Sequence, residues 1–265
     1  MIDTQHALSV AVDAAKQAGD IQMSYFRKQE SYIKHKNPRD ILTKADLESE
    51  QAIIAVLQDA FPDHQLLCEE SGRSAHTSEY LWVVDPLDGT LHFAKGHPDF
   101  AVLISLEKDT ELLCSVIYFP ATKELFTAEK GKGAKKNGVP IHVTDIQDVH
   151  DMIGGTQMSS NLEHRKKNLK LYNDMIIDMV NVHVVATCTA RLLADVADGV
   201  IDVLFKKEGI HYWDYAAGKL LVEEAGGRVT DFQGTHVIQD ATDIVATNGV
   251  SHETLLATLA AHAST

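Results

Sequence analysis

A short apolar run that ends in two aspartates constrains the fold of this chain more than any other stretch. Residues 81–90 read Leu-Trp-Val-Val-Asp-Pro-Leu-Asp-Gly-Thr, and the four apolar residues predict a buried strand that runs directly into a turn. Pro86 fixes one backbone φ between Asp85 and Asp88, and Gly89 permits the sharp reversal that an Asp-Gly pair usually marks. We therefore expect both carboxylates to reach one point in space at the exit of this strand.

This turn combines groups that bind a divalent cation with groups that bind a phosphate. Carboxylate oxygens suit a hard cation such as Mg²⁺. The backbone N–H groups that follow Gly89, together with the hydroxyl of Thr90, suit a phosphoryl group. The alternative is an ordinary surface turn, because Asp-Pro and Asp-Gly are common turn dipeptides. Further carboxylates in similar contexts favour the cation site.

Four more acidic residues are predicted at the ends of strands or near the starts of helices. Glu69 and Glu70 follow a short predicted strand at residues 65–68, so a second acidic pair stands at a strand exit. Asp214 opens a predicted helix, and Asp46 lies near the start of another. Ligands gather at such positions in α/β folds. Asp214 and Asp46 are also explained as N-caps, for which aspartate is a preferred residue.

The charge balance limits the class of partner. With 24 basic and 38 acidic residues the formal net charge is −14, which disfavours nucleic acid and anionic membranes. No signal peptide is predicted at residues 1–12, and no run of apolar residues is long enough to span a membrane. The three cysteines are far apart and odd in number, which is untypical of a disulfide framework or a zinc site and indicates a reducing cytoplasm.

Hydrophobic periodicity predicts a layered α/β chain with a soft boundary near residue 143. Helices are predicted at 4–26, 46–60, 162–179 and 189–197, and from 214 and 251; strands are predicted at 65–68, 81–84, 100–107, 112–119, 124–128, 183–186, 200–205, 228–230 and 243–246. Residues 34–39 are polar and contain Pro38, so we expect an exposed loop there. An N-terminal α+β half, 1–143, would carry most acidic residues of the site; a C-terminal α/β half, 144–265, would contribute Asp214 and the substrate pocket.

Four elements, in order and at suitable spacing, resemble the inositol monophosphatase family of Mg²⁺-dependent, lithium-sensitive phosphatases. Asp-Pro-Leu-Asp-Gly-Thr at 85–90 is similar to its first signature, and Glu-Glu-Ser at 69–71 to its upstream Glu-Glu-Ser/Thr element. Trp-Asp-Tyr-Ala-Ala-Gly at 213–218, followed by Glu-Ala-Gly-Gly at 224–227, resembles its second signature. Residues 40–46 resemble its Asp-x-x-Thr-x-x-Asp segment.

The resemblance implies a fold, a cofactor and its ligands. The fold would be an α/β/α/β/α five-layer sandwich, and the protein would usually be a homodimer. It would hydrolyse a small phosphorylated alcohol with a metal-activated water. Glu69, Asp85 and the carbonyl of Leu87 would hold a first Mg²⁺. A second Mg²⁺ would be held by Asp85, Asp88 and Asp214.

The resemblance also implies roles in the reaction and in substrate binding. Asp46, Glu69 and Thr90 would be the catalytic residues, with Asp46 and Thr90 orienting or deprotonating the attacking water. Gly89 and Thr90 would bind the phosphate. The full set of substrate contacts that the resemblance implies comprises Asp88, Gly89, Thr90, Thr187, Cys188, Lys207 and Asp214.

Three departures from the family pattern affect the part of the site that would bind the alcohol part of the substrate. His92 stands where the first signature normally has Asn, and Thr-Cys-Thr-Ala at 187–190 lacks the Gly of the family's substrate loop. Lys207, counted back from Asp214, stands where inositol-specific members carry a Glu that hydrogen-bonds sugar hydroxyls. Because an ammonium only donates and attracts negative charge, Lys207 predicts a substrate with a second anionic group. The alternative is that Lys207 points into solvent.

Three functions from the sequence stay open. The first is a Mg²⁺-dependent phosphomonoesterase of the inositol monophosphatase type. The second keeps this chemistry on a sugar bisphosphate, histidinol phosphate or a 3′-phosphonucleotide. The third is a non-catalytic cation-binding or regulatory protein with the same fold, which the presence of every expected acidic ligand disfavours.

Overall fold

The computed structural model describes residues 2–28, 32–37, 40–75, 77–179, 181–184, 188–237, 239 and 241–263. The helices within these ranges are α1 (Thr4–Tyr25), α2 (Lys44–Ala60), α3 (Thr90–Ala94), α4 (Leu162–Asp178), α5 (Thr189–Ala197), α6 (Tyr212–Glu224) and α7 (His252–Ala263). None of these helices is both long and apolar enough to cross a bilayer.

The strands of the same ranges form a hairpin and two sheets. The hairpin pairs β1 (Tyr32–Asn37) with β2 (Asp40–Thr43). The strands of the first sheet are β3 (Gln65–Cys68), β4 (Gly72–Arg73), β5 (Tyr80–Asp88), β6 (Ala101–Lys108), β7 (Glu111–Phe119), β8 (Glu124–Glu129), β9 (Gly133–Lys136) and β10 (Val139–Pro140), in the order β10-β9-β8-β7-β6-β5-β3-β4. Those of the second are β11 (Ile153–Thr156), β12 (Asn181–Val184), β13 (Val203–Lys206), β14 (Arg228–Thr230) and β15 (Ile244–Thr247), in the order β12-β11-β13-β15-β14.

Alternating side chains give each sheet two apolar faces, because successive residues of a strand point to opposite sides. In β5, Trp82 and Val84 pack in a hydrophobic cluster with the buried alanines of α1, whereas Leu81 and Val83 pack in a different cluster with α5 and α6. The eight-stranded sheet is therefore covered by helices on both faces.

The second sheet repeats this arrangement on the far side of α5 and α6. Leu204 of β13 packs in the cluster that contains α5 and α6, whereas Val203 and Phe205 pack with α4 and α7. The layers are thus α1 and α2, the eight-stranded sheet, α5 and α6, the five-stranded sheet, and α4 with α7. The α/β/α/β/α sandwich implied by the resemblance is confirmed.

The two halves of the chain share the middle helical layer. The first sheet ends at Pro140 and the second begins at Ile153, on either side of the predicted boundary near residue 143. The largest hydrophobic cluster nevertheless contains residues of both halves, among them Phe119 and Leu192. The division of the chain into two domains therefore stays a prediction.

The predicted loop at residues 34–39 is wrong, because part of it lies in a strand. β1 covers the segment up to Asn37, which pairs with Asp40 of β2. A proline excludes a helix interior, but it leaves extended backbone available on either side. The prediction used only the first of these constraints.

Two helices begin a few residues earlier than the sequence indicated. Thr43 is the N-cap of α2, and Asp46 lies at the third helical position, where it accepts a hydrogen bond from the Thr43 N–H at 2.8 Å. Asp214 lies at the same position of α6 and accepts from the His211 N–H at 2.9 Å. The interpretation of either aspartate as an N-cap is therefore wrong. α1 begins at Thr4, as the sequence predicts, and its N-cap is Asp3.

A buried histidine links the last two strands to α7 and makes stability depend on pH. The ring of His252 lies 2.8 Å from the Thr230 hydroxyl through Nε2 and 2.9 Å from the Thr247 hydroxyl through Nδ1. The Thr230 hydroxyl donates to the Asp231 carbonyl, so it accepts from Nε2–H, and Nδ1 is left as the acceptor of the Thr247 proton. Burial lowers the pKa of His252 to about 4.

We expect this histidine to cost stability as the solution is acidified. The unfolded chain takes up the proton near pH 6.5, whereas the folded chain resists it until about pH 4, so stability falls across this window. The contribution of one such group is at most about 1.4 kcal/mol per pH unit. Urea unfolding between pH 7 and 4 should show a shallower pH dependence for His252→Gln than for the native chain. Parallel curves would contradict this assignment.

Candidate active site

A cavity of about 460 Å³ lies where β3, β5 and β13 end and α6 begins. Its lining contains the phosphate-binding candidates Gly89 and Thr90. The lining also contains every residue that the resemblance assigned to Mg²⁺, namely Glu69, Asp85, Leu87, Asp88 and Asp214. Motifs that lie far apart in the sequence therefore meet in one cavity.

A bulge in β5 brings Asp85 and Asp88 to the same cavity. Asp85 pairs with Leu103 and Asp88 with Ala101, so three steps along β5 are matched by two along β6. In a regular strand, residues three apart point to opposite faces, and the extra residue corrects this. The N–H of Leu87 donates to Asp85 Oδ1 at 3.0 Å within the bulge.

The carboxylate of Asp88 is held by the other half of the chain. The backbone N–H of Ala190, in the first turn of α5, donates to Asp88 Oδ2 at 2.6 Å. The thiol of Cys188, which is buried at the N-cap position of α5, also hydrogen-bonds this carboxylate. The first turn of α5 therefore fixes the orientation of a side chain that β5 supplies.

The acidic side chains repel one another in this buried setting. Burial, and then the carboxylates of Glu69, Asp88 and Asp214, raise the pKa of Asp85 well above its usual range. Burial and Asp214 raise the pKa of Asp88 to about 7, although the Ala190 N–H, Lys206 and Cys188 oppose this shift. A bound cation would relieve the repulsion.

The donor set fits Mg²⁺ in chemical type. Carboxylate and carbonyl oxygens are the ligands that this hard cation prefers, and Leu87 supplies the carbonyl. Among the described residues, no three His, Cys, Asp or Glu side chains meet closely enough to ligate one ion alone. Oxygens of Leu87, of substrate and of water would therefore complete the coordination, since Mg²⁺ usually keeps several waters.

Thr90 links the cavity to a buried carboxylate behind it. Its hydroxyl lies 3.0 Å from Asp46 Oδ1 and 3.0 Å from the Leu87 carbonyl oxygen. Asp46 is buried and does not line the cavity, so it can act on a substrate only through Thr90. Burial raises the pKa of Asp46 to about 6, against the hydrogen bonds from Thr43 and Thr90. At neutral pH its carboxylate is therefore mostly an acceptor for the Thr90 proton.

Gly89 is required by both its backbone conformation and its surroundings. Its φ of +92° lies in the left-handed region, at the position before α3. A Cβ at this residue would lie 2.8 Å from the Asp99 carbonyl oxygen and 3.0 Å from Cys188 Cβ. The tight turn therefore depends on the missing side chain.

Two of the three departures from the family pattern, His92 and residues 187–190, have different outcomes. His92 lines the cavity, and its Nδ1 lies 3.2 Å from the Asp99 carbonyl oxygen. Burial lowers the pKa of His92, which favours the neutral ring. Cys188 is buried outside the cavity lining and acts on Asp88, so its predicted direct contact with substrate is corrected. Thr187 lies outside the described residues.

The expectation that Lys207 lies at the mouth of the site is wrong. Its Nζ lies 3.5 Å from Asp243 Oδ2 and 4.3 Å from the centre of the Phe232 ring, and it does not line the cavity. Counting back from Asp214 located the segment correctly but chose the wrong one of two adjacent lysines. Lys206, the last residue of β13, points into the cavity instead.

Two basic residues of the cavity were missed by the sequence reasoning. Lys206 alternates with Phe205 along β13 and so shares a side with Leu204, a signal that the strand pattern contained. Burial lowers the pKa of Lys206, whereas the carboxylates of Asp214 and Asp88 raise it. Arg165 comes from α4, and no local motif marked it.

Known proteins resemble this chain over nearly its whole length. Residues 3–264 match the model of the inositol monophosphatase family. The chain is 35% identical to the Nus factor SuhB of Pseudomonas aeruginosa over 97% of each chain, and 36% identical to that of Escherichia coli over 91% of each. It superimposes on extragenic suppressor protein suhB from Bartonella henselae with a TM-score of 0.90 at 33% identity, over 96% of this chain and 98% of that one. The inositol monophosphatase from Anabaena (Nostoc) gives 0.87 at 33%, over 97% and 96%.

The close approach at Gly89 predicts a larger loss of stability than left-handed backbone alone. Gly131 has a similar φ of +72°, but nothing lies within 4 Å of an added Cβ. We expect Gly131→Ala to cost about 1 kcal/mol of unfolding free energy and Gly89→Ala about 2–4 kcal/mol, measured by urea unfolding. Equal losses in the two variants would show that the contact with Asp99 and Cys188 is not a constraint.

Proposed function

This chain belongs to the inositol monophosphatase family, and on that basis we propose that it is a Mg²⁺-dependent phosphomonoesterase. Its substrate would be a small phosphorylated alcohol, hydrolysed by a water molecule without a covalent enzyme intermediate. The observation that supports the proposal is the gathering of four mutually repelling carboxylates and a backbone carbonyl around one cavity. A purely structural core gains nothing from such repulsion.

The residues that would hold Mg²⁺ come from three elements. Glu69, Asp85 and the Leu87 carbonyl would hold one ion. A second would be held by Asp85 together with Asp88 and Asp214, which the cation would draw closer together than they lie in this structure. When bound, Mg²⁺ supplies charge neutralisation of the phosphoryl group, activation of water and stabilisation of the leaving oxygen.

Thr90 is suited to take part in proton transfer from the attacking water. Its hydroxyl proton points to Asp46 Oδ1 or to the Leu87 carbonyl, which leaves an oxygen lone pair for the cavity. Asp46 is held in place by the Thr43 N–H and by the Thr43 hydroxyl. A proton gained by the Thr90 oxygen can therefore be balanced by one passed to Asp46.

The turn after Asp88 is suited to bind the reacting phosphate. The left-handed conformation of Gly89 directs the chain into α3, and Gly89 and Thr90 both line the cavity. Their backbone N–H groups would hydrogen-bond the phosphate oxygens. The hydroxyl of Thr90 stays close to the same oxygens because it is fixed by Asp46.

A regulatory role is the second candidate, and the relatives' names favour it. The curated relatives from Pseudomonas aeruginosa and Escherichia coli are both called Nus factor SuhB. A partner-binding role alone has no need of the acidic cavity, so we place the enzyme first.

Phosphate release from a panel of esters, with and without Mg²⁺, separates the two functions. The same panel distinguishes inositol phosphates from sugar bisphosphates, histidinol phosphate and 3′-phosphonucleotides. A homodimer in the cytoplasm belongs to the same proposal.

Removing one negative charge from the acidic set should abolish most of the Mg²⁺-dependent activity. We expect Asp88→Asn to lower the rate of phosphate release at least 100-fold, because the amide keeps the Ala190 hydrogen bond but loses the ligand charge. Mg²⁺ should also raise the melting temperature of the native chain more than that of the variant. Asp59→Asn, on the exposed face of α2, is the control and should behave as native. Near-native turnover in Asp88→Asn would contradict the proposal.

The link between Thr90 and Asp46 predicts a loss of turnover without loss of metal. Thr90→Ala and Asp46→Asn should each lower kcat by roughly 10²–10⁴, the range for lost general acid–base help. Thr90→Ser keeps a hydroxyl and should retain most of the activity. The Mg²⁺ concentration for half-maximal rate should change little in all three variants. A rise in that concentration as the main effect would identify the residue as a metal ligand instead.

A further inference from the structure

We propose that Lys206 and Arg165 form a second anion subsite in the cavity, so that the favoured substrate is a small phosphate ester with a second phosphate. This inference rests on the proposed phosphatase function and deepens it. Both residues line the same cavity as the four carboxylates. They come from the C-terminal half, from the end of β13 and from α4.

Lys206 is a buried cation with neutral hydrogen-bond partners. The residue is 5% exposed, and Nζ donates to Gln157 Oε1 at 2.7 Å and to Thr189 Oγ1 at 3.1 Å. An ammonium has three N–H donors, so these two hydrogen bonds within the described part of the chain leave one donor for an incoming group. Both partners also line the cavity, which places this donor at its surface.

The neighbouring lysine, Lys207, has a carboxylate and an aromatic ring as partners for its charge. Lys207 Nζ lies 3.5 Å from Asp243 Oδ2 and over the Phe232 ring, outside the cavity. Lys206 instead interacts with the carboxylates of Asp88 and Asp214, and bound Mg²⁺ would neutralise those carboxylates. Once the cation is bound, a buried ammonium is poorly compensated unless an anion binds beside it.

Arg165 supplies a second positive group on the same wall. Its Nε donates to the Ser159 carbonyl oxygen, which fixes the guanidinium against the segment that joins β11 to α4. Gln157 in that segment is also the partner of Lys206, so one short segment positions both cations. A guanidinium held by Nε can still present its two outer nitrogens to a phosphate.

The charge count explains why a second phosphate is favoured. Two Mg²⁺ ions would balance the four carboxylates, and the reacting phosphate would lie at the turn formed by Gly89 and Thr90. Lys206 and Arg165, which come from the end of β13 and from α4 and not from that turn, then remain as positive charges that line the same cavity. Inositol 1-phosphate would place neutral hydroxyls there, which pair less strongly with cations than a phosphate does.

Two substrate pairs isolate the second phosphate. They are fructose 1,6-bisphosphate with fructose 1-phosphate, and adenosine 3′,5′-bisphosphate with adenosine 3′-phosphate. We expect kcat/KM of the native chain to favour the bisphosphate in at least one pair, and the pair that responds identifies a sugar or a nucleoside. In Lys206→Met and in Arg165→Gln this ratio should fall about 10- to 100-fold. Lys207→Met is the matched control and should keep the native ratio.

The outcomes separate this inference from the proposed function. Equal kcat/KM for the two members of each pair would overturn the subsite. So would a ratio of kcat/KM that Lys206→Met and Arg165→Gln leave unchanged. If both variants lose activity equally on both esters, the cations belong to the reacting phosphate and not to a second subsite. If no ester is hydrolysed with Mg²⁺, the proposed function fails, and the intact bisphosphates become ligands for calorimetry on the same variants. Binding weakened by Lys206→Met or Arg165→Gln but not by Lys207→Met would still support the subsite. Should Lys206→Met fail to fold, the kcat/KM ratio of Arg165→Gln, a substitution at a half-exposed residue, decides whether the subsite exists.

Discussion

Repulsion between buried carboxylates is the constraint on which the rest of this structure depends. Asp85 and Asp88 lie beside Glu69 and Asp214 in one cavity, and burial strengthens the repulsion because little water screens it. Such a set persists only if each side chain is held by its own backbone and neighbours. The bulge in β5 positions Asp85, and the first turn of α5 restrains Asp88.

The layered fold explains how two halves of the chain supply one site. α5 and α6 lie between the two sheets, so the first turn of each reaches the exit of β5. α5 contributes the Ala190 N–H, and α6 contributes Asp214 at its third position. The middle layer therefore does more than fill space between sheets. It sets the distance between the acidic turn of the first sheet and the basic wall built around the second.

Two aspartates show how a local motif and a tertiary contact act together. Asp46 and Asp214 both lie at the third position of a helix and accept the N–H of the N-cap residue. In Asp214 the carboxylate still lines the cavity, whereas in Asp46 it is buried and reaches the cavity only through Thr90. The same helix-start geometry thus yields a candidate metal ligand in one case and a positioning group in the other.

Sequence patterns alone determined the parts of this protein that depend on local chemistry. The buried apolar run of β5, the Asp-Gly turn and the helix at Thr189–Ala197 follow from residues close in the chain, and all three appear in the structure. Only the tertiary structure decided which of Lys206 and Lys207 enters the cavity, because a shift of one residue reverses the side of a strand. It also decided that Asp88 meets the Ala190 N–H and that Arg165 lines the same cavity as the acidic turn, since both depend on how the sheets and helices pack.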